Sequence, residues 1–224
     1  MTDLSVQRAA VSPAPSGIVE LLGMLACAEL FAFERLAADA TMAPVLADRA
    51  ALARMAAAEC DHMERLRARL GDLGCDADQA MAPFVATFEA FHALTVPSDW
   101  LEGLVKAYVG DGLAADFYRE IAASVDADTR DLVLEVCADL GHAAFAEDRV
   151  RAAVAADPRV GARLALWGRR LVGEALAQAQ AVAAEHDALA GLLVKGADLA
   201  ELSAMFTRLT TAHARRMTAL GLAG

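Results

Sequence analysis

Residues 56–66 read Ala-Ala-Ala-Glu-Cys-Asp-His-Met-Glu-Arg-Leu, and within them Glu59 and His62 stand three apart. On an α-helix, positions i and i+3 lie one turn apart on one face, so a carboxylate and an imidazole at this spacing can hold the same ion. One such pair is commonplace on solvated helices, where it only aids solubility. The spacing gains meaning from an echo 80 residues downstream, where Asp139 and His142 repeat it in Cys-Ala-Asp-Leu-Gly-His. Each pair also has an acid ahead of it, since Glu29 precedes Glu59 by 30 residues and Asp111 precedes Asp139 by 28. Two helix pairs, each supplying an acid and an acid-x-x-His, are the ligand arithmetic of a four-helix bundle that holds two metal ions.

Working outward toward the N-terminus, Ile18, Leu21, Leu22, Leu25, Ala32 and Leu36 recur with a helical period, and Glu29 falls on their stripe. A carboxylate on the buried face of a helix is costly unless something compensates its charge. Glu34 points about 140° away by helix geometry and is the weaker candidate. Ser16 is an N-cap type, the first helix ends near Asp39 to Met42, and a second runs from Pro44 to Leu70 with Gly71 as its stop. Glu29 and Glu59 are each 15 residues from Pro44, so a hairpin turning there sets them at one height.

Residues 72–97 are the least regular, with Gly74, Pro83 and Pro97 around an apolar piece from Phe84 to Leu94, and are long enough for a crossover between two hairpins. His92 lies in this stretch with no acid at i−3 and reads as a packed or exposed residue, not a ligand. Ser98 caps a third helix, Trp100 to Ser124, where Leu101, Leu104, Val105, Tyr108 and Ala115 put Asp111 in core phase. Asp116 is the alternative, on a second face with Leu113 and Phe117. A fourth helix starts after Asp126-Ala-Asp128-Thr129 and carries Leu132, Val136, Asp139, His142 and Phe145 through to Ala156, before Asp157-Pro158 breaks the chain. Two further amphipathic helices follow, Arg159 to His186 and Asp198 to Leu220, separated by a segment around Gly191 to Gly196.

The expected fold is therefore all-α: a four-helix bundle of two duplicated helix pairs, 18–71 and 98–156, with two additional C-terminal helices. Residues 1–16, with Pro13-Ala-Pro15-Ser16, read as a flexible lead-in, and 17–224 as one domain, bundle core 17–156 and addition 157–224. Mean hydropathy is positive, yet the best apolar run, Ile18 to Phe33, is interrupted by Glu20 and Glu29 and falls short of the roughly 20 apolar residues of a membrane span. The N-terminus has neither a signal-type apolar region nor a transit-peptide excess of Arg, so the expectation is a cytoplasmic protein without membrane contact. Cys27, Cys60, Cys75 and Cys137 form no C-x-x-C motif and read as reduced, packed thiols.

Carboxylates bridging hard or borderline cations, with imidazoles at terminal positions, suit iron or manganese. Two open-sided Fe(II) ions would activate dioxygen. The second half uses Asp111 and Asp139 where such sites normally use Glu, each one methylene shorter. Tyr108, one turn before Asp111, reads as a core tyrosine, and His186 and His213, without matched acids, as ordinary residues.

Net charge is −11, unevenly spread: residues 1–144 carry 23 acidic against 10 basic side chains, residues 145–224 carry 8 against 10. Only the C-terminal third offers a polyanion an attractive surface.

At Ala-Glu29-Leu-Phe-Ala-Phe-Glu, Ala-Glu59-Cys-Asp-His62-Met-Glu-Arg-Leu, Tyr-Val-Gly-Asp111-Gly and Asp139-Leu-Gly-His142 the chain resembles the ferritin-like superfamily, and within it the MiaE-type tRNA hydroxylases, over residues 17–156. The resemblance implies a di-iron centre held by Glu29, Glu59, His62, Asp111, Asp139 and His142, with Glu59 and Asp139 as bridges. It also implies hydroxylation of a modified tRNA adenosine with dioxygen and an electron donor. The arginines that would face tRNA are Arg149, Arg151, Arg159, Arg163, Arg169, Arg170, Arg208, Arg215 and Arg216. The two other readings are a hydroxylase or oxidase of a small hydrophobic molecule, for which an Ala-rich core leaves room, and a degenerate bundle kept for binding or structure.

Overall fold

The computed structural model describes residues 15–122, 124–138, 142–194 and 199–222, and among them every regular element is a helix. The lead-in before Pro15 lies outside the described residues. Helix α1 (Ser16–Ala40) and helix α2 (Leu46–Asp72) form an antiparallel hairpin and pack on each other more extensively than any other pair. Pro15, not Ser16, occupies the N-cap position of α1. Helix α2 continues through Gly71, and the left-handed residue that ends it is Gly74, at φ +76°. There the Cys75 amide donates to the Leu70 carbonyl, the C-terminal bond that a left-handed glycine makes possible.

The crossover is more ordered than its sequence suggests. It contains α3 (Ala77–Met81), a 3₁₀ turn (Ala82–Phe84) and α4 (Val85–Leu94). Asp76 caps α3 by accepting from the Gln79 amide. Helix α3 crosses directly over α1, where a Cβ on Gly23 would lie 2.2 Å from the Ala80 carbonyl oxygen. Helix α5 (Trp100–Ala122) is capped by Asp99, which accepts from the Glu102 amide, while the Glu102 carboxylate reaches back to the Ser98 amide and hydroxyl. Ser98 is thus one position outside the cap.

The expected fourth helix is broken. Helix α6 (Ala127–Val136), capped by Asp126, ends before the candidate ligands, and α7 (His142–Ala156) begins at one of them. Asp139 lies outside the described residues. Asp157 and Pro158 open α8 (Pro158–Glu185), which packs on α5, α7 and α4. Among the described residues the C-terminal addition has three helices where two are expected, because α9 (Asp187–Val194) precedes α10 (Leu199–Ala219). The Glu20 carboxylate accepts from the Leu189 amide in the first turn of α9, which fixes α9 against α1.

The core consists of two apolar clusters. One gathers Leu36, Leu52, Met55, Leu104, Val105, Val150 and Leu164, the other Leu21, Leu22, Leu25, Leu66, Leu70, Ile121 and Val133. On α1, α2 and α5 alike, the residues between the two clusters are the candidate ligands. Each fully buried Leu contributes about 1.5–3 kcal/mol, so the clusters on either side can hold polar groups between them. With its ends included, α1 is long and apolar enough to cross a bilayer, unlike the shorter run read from sequence, but half of its most apolar stretch is buried inside the protein. It serves here as a core helix. All four cysteines are free thiols.

Candidate metal centre

The seam between the clusters brings together Glu29 from α1, Glu59 and His62 from α2, Asp111 from α5 and His142 from the first turn of α7. Glu29, Glu59 and His62 offer ligand atoms within 4.8 Å of one another, and so do Glu59, Asp111 and His142. Glu59 belongs to both sets. Its Oε2 lies 3.4 Å from His62 Nδ1 and its Oε1 lies 3.6 Å from His142 Nδ1. Glu29 Oε2 approaches His62 Nδ1 to 3.6 Å from the other side.

These separations exceed hydrogen-bond lengths, and buried His62 Nδ1 has no hydrogen-bond partner. Donor atoms that face one another without bonding are arranged around a space, and oxygen and imidazole donors suit a divalent first-row cation. The residues present therefore fit a metal ion.

Electrostatics at the cluster follow from burial and proximity. Burial, with the neighbouring Glu59, holds the Glu29 carboxyl well above the ordinary range. Burial alone would also raise Glu59, but His62, Glu29 and His142 outweigh it and keep Glu59 low and charged. Glu29 and then Glu59 raise His62 to about 9. At neutral pH Glu59 is thus a carboxylate and His62 an imidazolium, while Glu29 keeps its proton to higher pH than an ordinary carboxyl.

Other candidates fall elsewhere. Glu34 is exposed. Asp116 is engaged by Arg216 at 2.6 Å and Arg119 at 3.2 Å. Tyr108 donates its hydroxyl to Glu147 of α7 at 2.8 Å. His92 packs face to face with Phe31, and His186 with Phe84. His213 is buried, and burial together with Arg216 lowers its basicity.

The cluster opens onto a cavity of about 820 Å³, lined mostly by apolar side chains of α1, α4, α5, α8 and α10. Arg35, Asp39 and Lys106 also line it. Sequence reasoning missed these three. The available signal was Lys106, a lysine amid the core-phase run from Leu101 to Tyr108.

A family model described as a ferritin-like domain of actinomycetes matches residues 14–196. No curated protein matches the chain.

Proposed function

Because the chain belongs to the ferritin-like domain family of actinomycetes, we propose that it is a non-haem di-iron oxidase or hydroxylase acting on a small, largely apolar molecule. We read α1, α2, α5 and the α6–α7 pair as the four-helix bundle, with α8–α10 as an added wall. The observation that carries the reading is Glu59, whose two oxygens face two histidines at the floor of a large apolar cavity. Glu29 and His62 would hold one ion and Asp111 and His142 a second, with manganese as the other cation this donor set suits.

Two bound iron ions would supply the activation of dioxygen that an unactivated C–H bond requires, with electrons from a partner. The protein's own contribution is to hold Glu59 ionised between the two sets, to give up the proton of His62 as an ion binds, and to exclude water with the Ala- and Leu-lined wall. Protein loaded anaerobically with Fe(II) and then exposed to air should consume dioxygen faster than free Fe(II), and Glu59→Ala should abolish the excess. Equal rates with and without protein would reject the oxidase reading.

Two observations bear on the alternatives. Helix α6 ends at Val136, so the α6–α7 pair departs from the continuous fourth helix of a regular bundle, which favours a non-catalytic binding bundle should oxygen uptake fail. For the MiaE-type reading, most of the arginines that would face tRNA are already engaged. Arg149 pairs with buried Asp48, Arg151 with Glu147, Arg159 with Asp157, Arg163 with Asp99 and Glu102, Arg208 with Glu120 and Arg216 with Asp116. Arg170 donates to the Leu94 carbonyl. Phosphate recognition needs uncommitted cations on one face, so a small substrate fits better than a polyanion.

A further inference from the structure

The charged end of the cavity is unbalanced. Lys106 is only 6 % exposed, and its ammonium makes one hydrogen bond, to the Thr95 carbonyl at 2.7 Å, while lying over the Phe91 ring. An ammonium has three donors. The Arg35 Nε is buried without a hydrogen-bond partner, and so is His92 Nδ1 beside it in the cavity wall. Asp39 is the resident acid of this group, 7 % exposed, and its carboxylate fills the space where a Cβ on Gly103 would stand. Neither cation forms an ion pair with it among the described residues. His92 is kept neutral, pushed down to about 3 by burial and then by Lys106 and Arg35. Two cations thus face one acid in an apolar enclosure, where an uncompensated charge is costly.

Their placement relative to the metal cluster is also informative. Arg35 follows Glu29 by six residues on α1, a rise of about 9 Å, and Lys106 precedes Asp111 by five on α5, a rise of about 7.5 Å. Leu36 and Leu104 share one apolar cluster, so both displacements run toward the same end of the bundle. The wall between is apolar.

We propose that Arg35 and Lys106 form an anion subsite for the carboxylate of an amphipathic molecule whose alkyl chain lies along the cavity toward Glu29, Glu59 and His62. As a substrate assignment this rests on the oxidase reading; as a binding site it does not. The carboxylate supplies the missing counter-charge, accepts from Arg35 and from Lys106 donors left free by Thr95, and fixes which stretch of the chain meets the cluster.

The test is calorimetric titration of the metal-free protein with hexanoate, octanoate and decanoate, and with octan-1-ol. Affinity should rise about fourfold per added methylene, octanoate should bind at least tenfold more tightly than octanol, and Arg35→Gln or Lys106→Met should erase that preference while octanol binding persists. If a variant misfolds by circular dichroism, the acid-to-alcohol ratio in the wild-type protein decides alone. Equal affinity for acid and alcohol, or no binding of either, overturns the proposal. Separate Fe(II) loading distinguishes the two claims. Iron uptake without carboxylate preference removes the subsite and leaves the oxidase, whereas carboxylate preference without iron uptake does the reverse.

Discussion

His62 carries a proton that a bound metal ion must displace, and Glu29 holds its own to higher pH than an ordinary carboxyl does. Ion binding near neutral pH should therefore release about one proton from His62, and more as Glu29 contributes at lower pH, and should tighten as pH rises, which calorimetry in buffers of different ionisation enthalpy measures directly. The same groups set the pH dependence of the metal-free fold. His62, raised from 6.5 to about 9, contributes stability that is complete below 6.5 and disappears as pH climbs through 9. Glu29, raised above 4.5, ionises readily only in the unfolded chain, so it too favours unfolding as pH rises. The melting temperature of metal-free protein should fall between pH 6.5 and pH 9, and metal should flatten that fall because the protons have already left. A slope of opposite sign would contradict the assigned protonation. Glu29→Gln removes the acid and keeps its shape; it should raise metal-free stability by about 1 kcal/mol near pH 8 and weaken metal uptake.

At the scale of elements, the helices whose apolar period is clean were the legible ones. α1, α2, α5 and α8 fall within a few residues of their expected bounds because periodicity, Pro44, Asp126 and Asp157-Pro158 all act locally. Glu29, Glu59 and Asp111 share a seam because hairpin symmetry and core phase are both readable from residue numbers. The interruption between α6 and α7 was not legible. The acid-x-x-His spacing of Asp139 and His142 invites a continuous helix, and what ends α6 at Val136 is not encoded in that spacing. The charged end of the cavity was hidden for a different reason, since Arg35 and Asp39 come from α1 and Lys106 from α5 and only packing brings them together. Close packing also makes a sharp prediction at Gly23. A Cβ there meets backbone, not a flexible side chain, so Gly23→Ala should displace α3 and cost about 1–3 kcal/mol, read as a lowered denaturation midpoint with unchanged helical content.

For the whole molecule, the chain is acidic and most of its C-terminal arginines pair with carboxylates of the same chain, so we propose that it does not retain a polyanion. Gel-shift at low ionic strength should show no salt-sensitive retention of tRNA; strong retention that fades with salt would restore the tRNA reading. The larger organisation is two apolar clusters that enclose a polar seam beside a cavity, with Glu59 common to both ligand sets. The measurement that tests this most directly is an anaerobic Fe(II) titration with metal analysis, comparing the wild-type chain with Glu59→Ala. Two iron ions should load per wild-type chain and both should be lost in the variant, with helical content preserved, because one carboxylate serves both sets. No uptake by the wild-type protein, or uptake undiminished without Glu59, would contradict it.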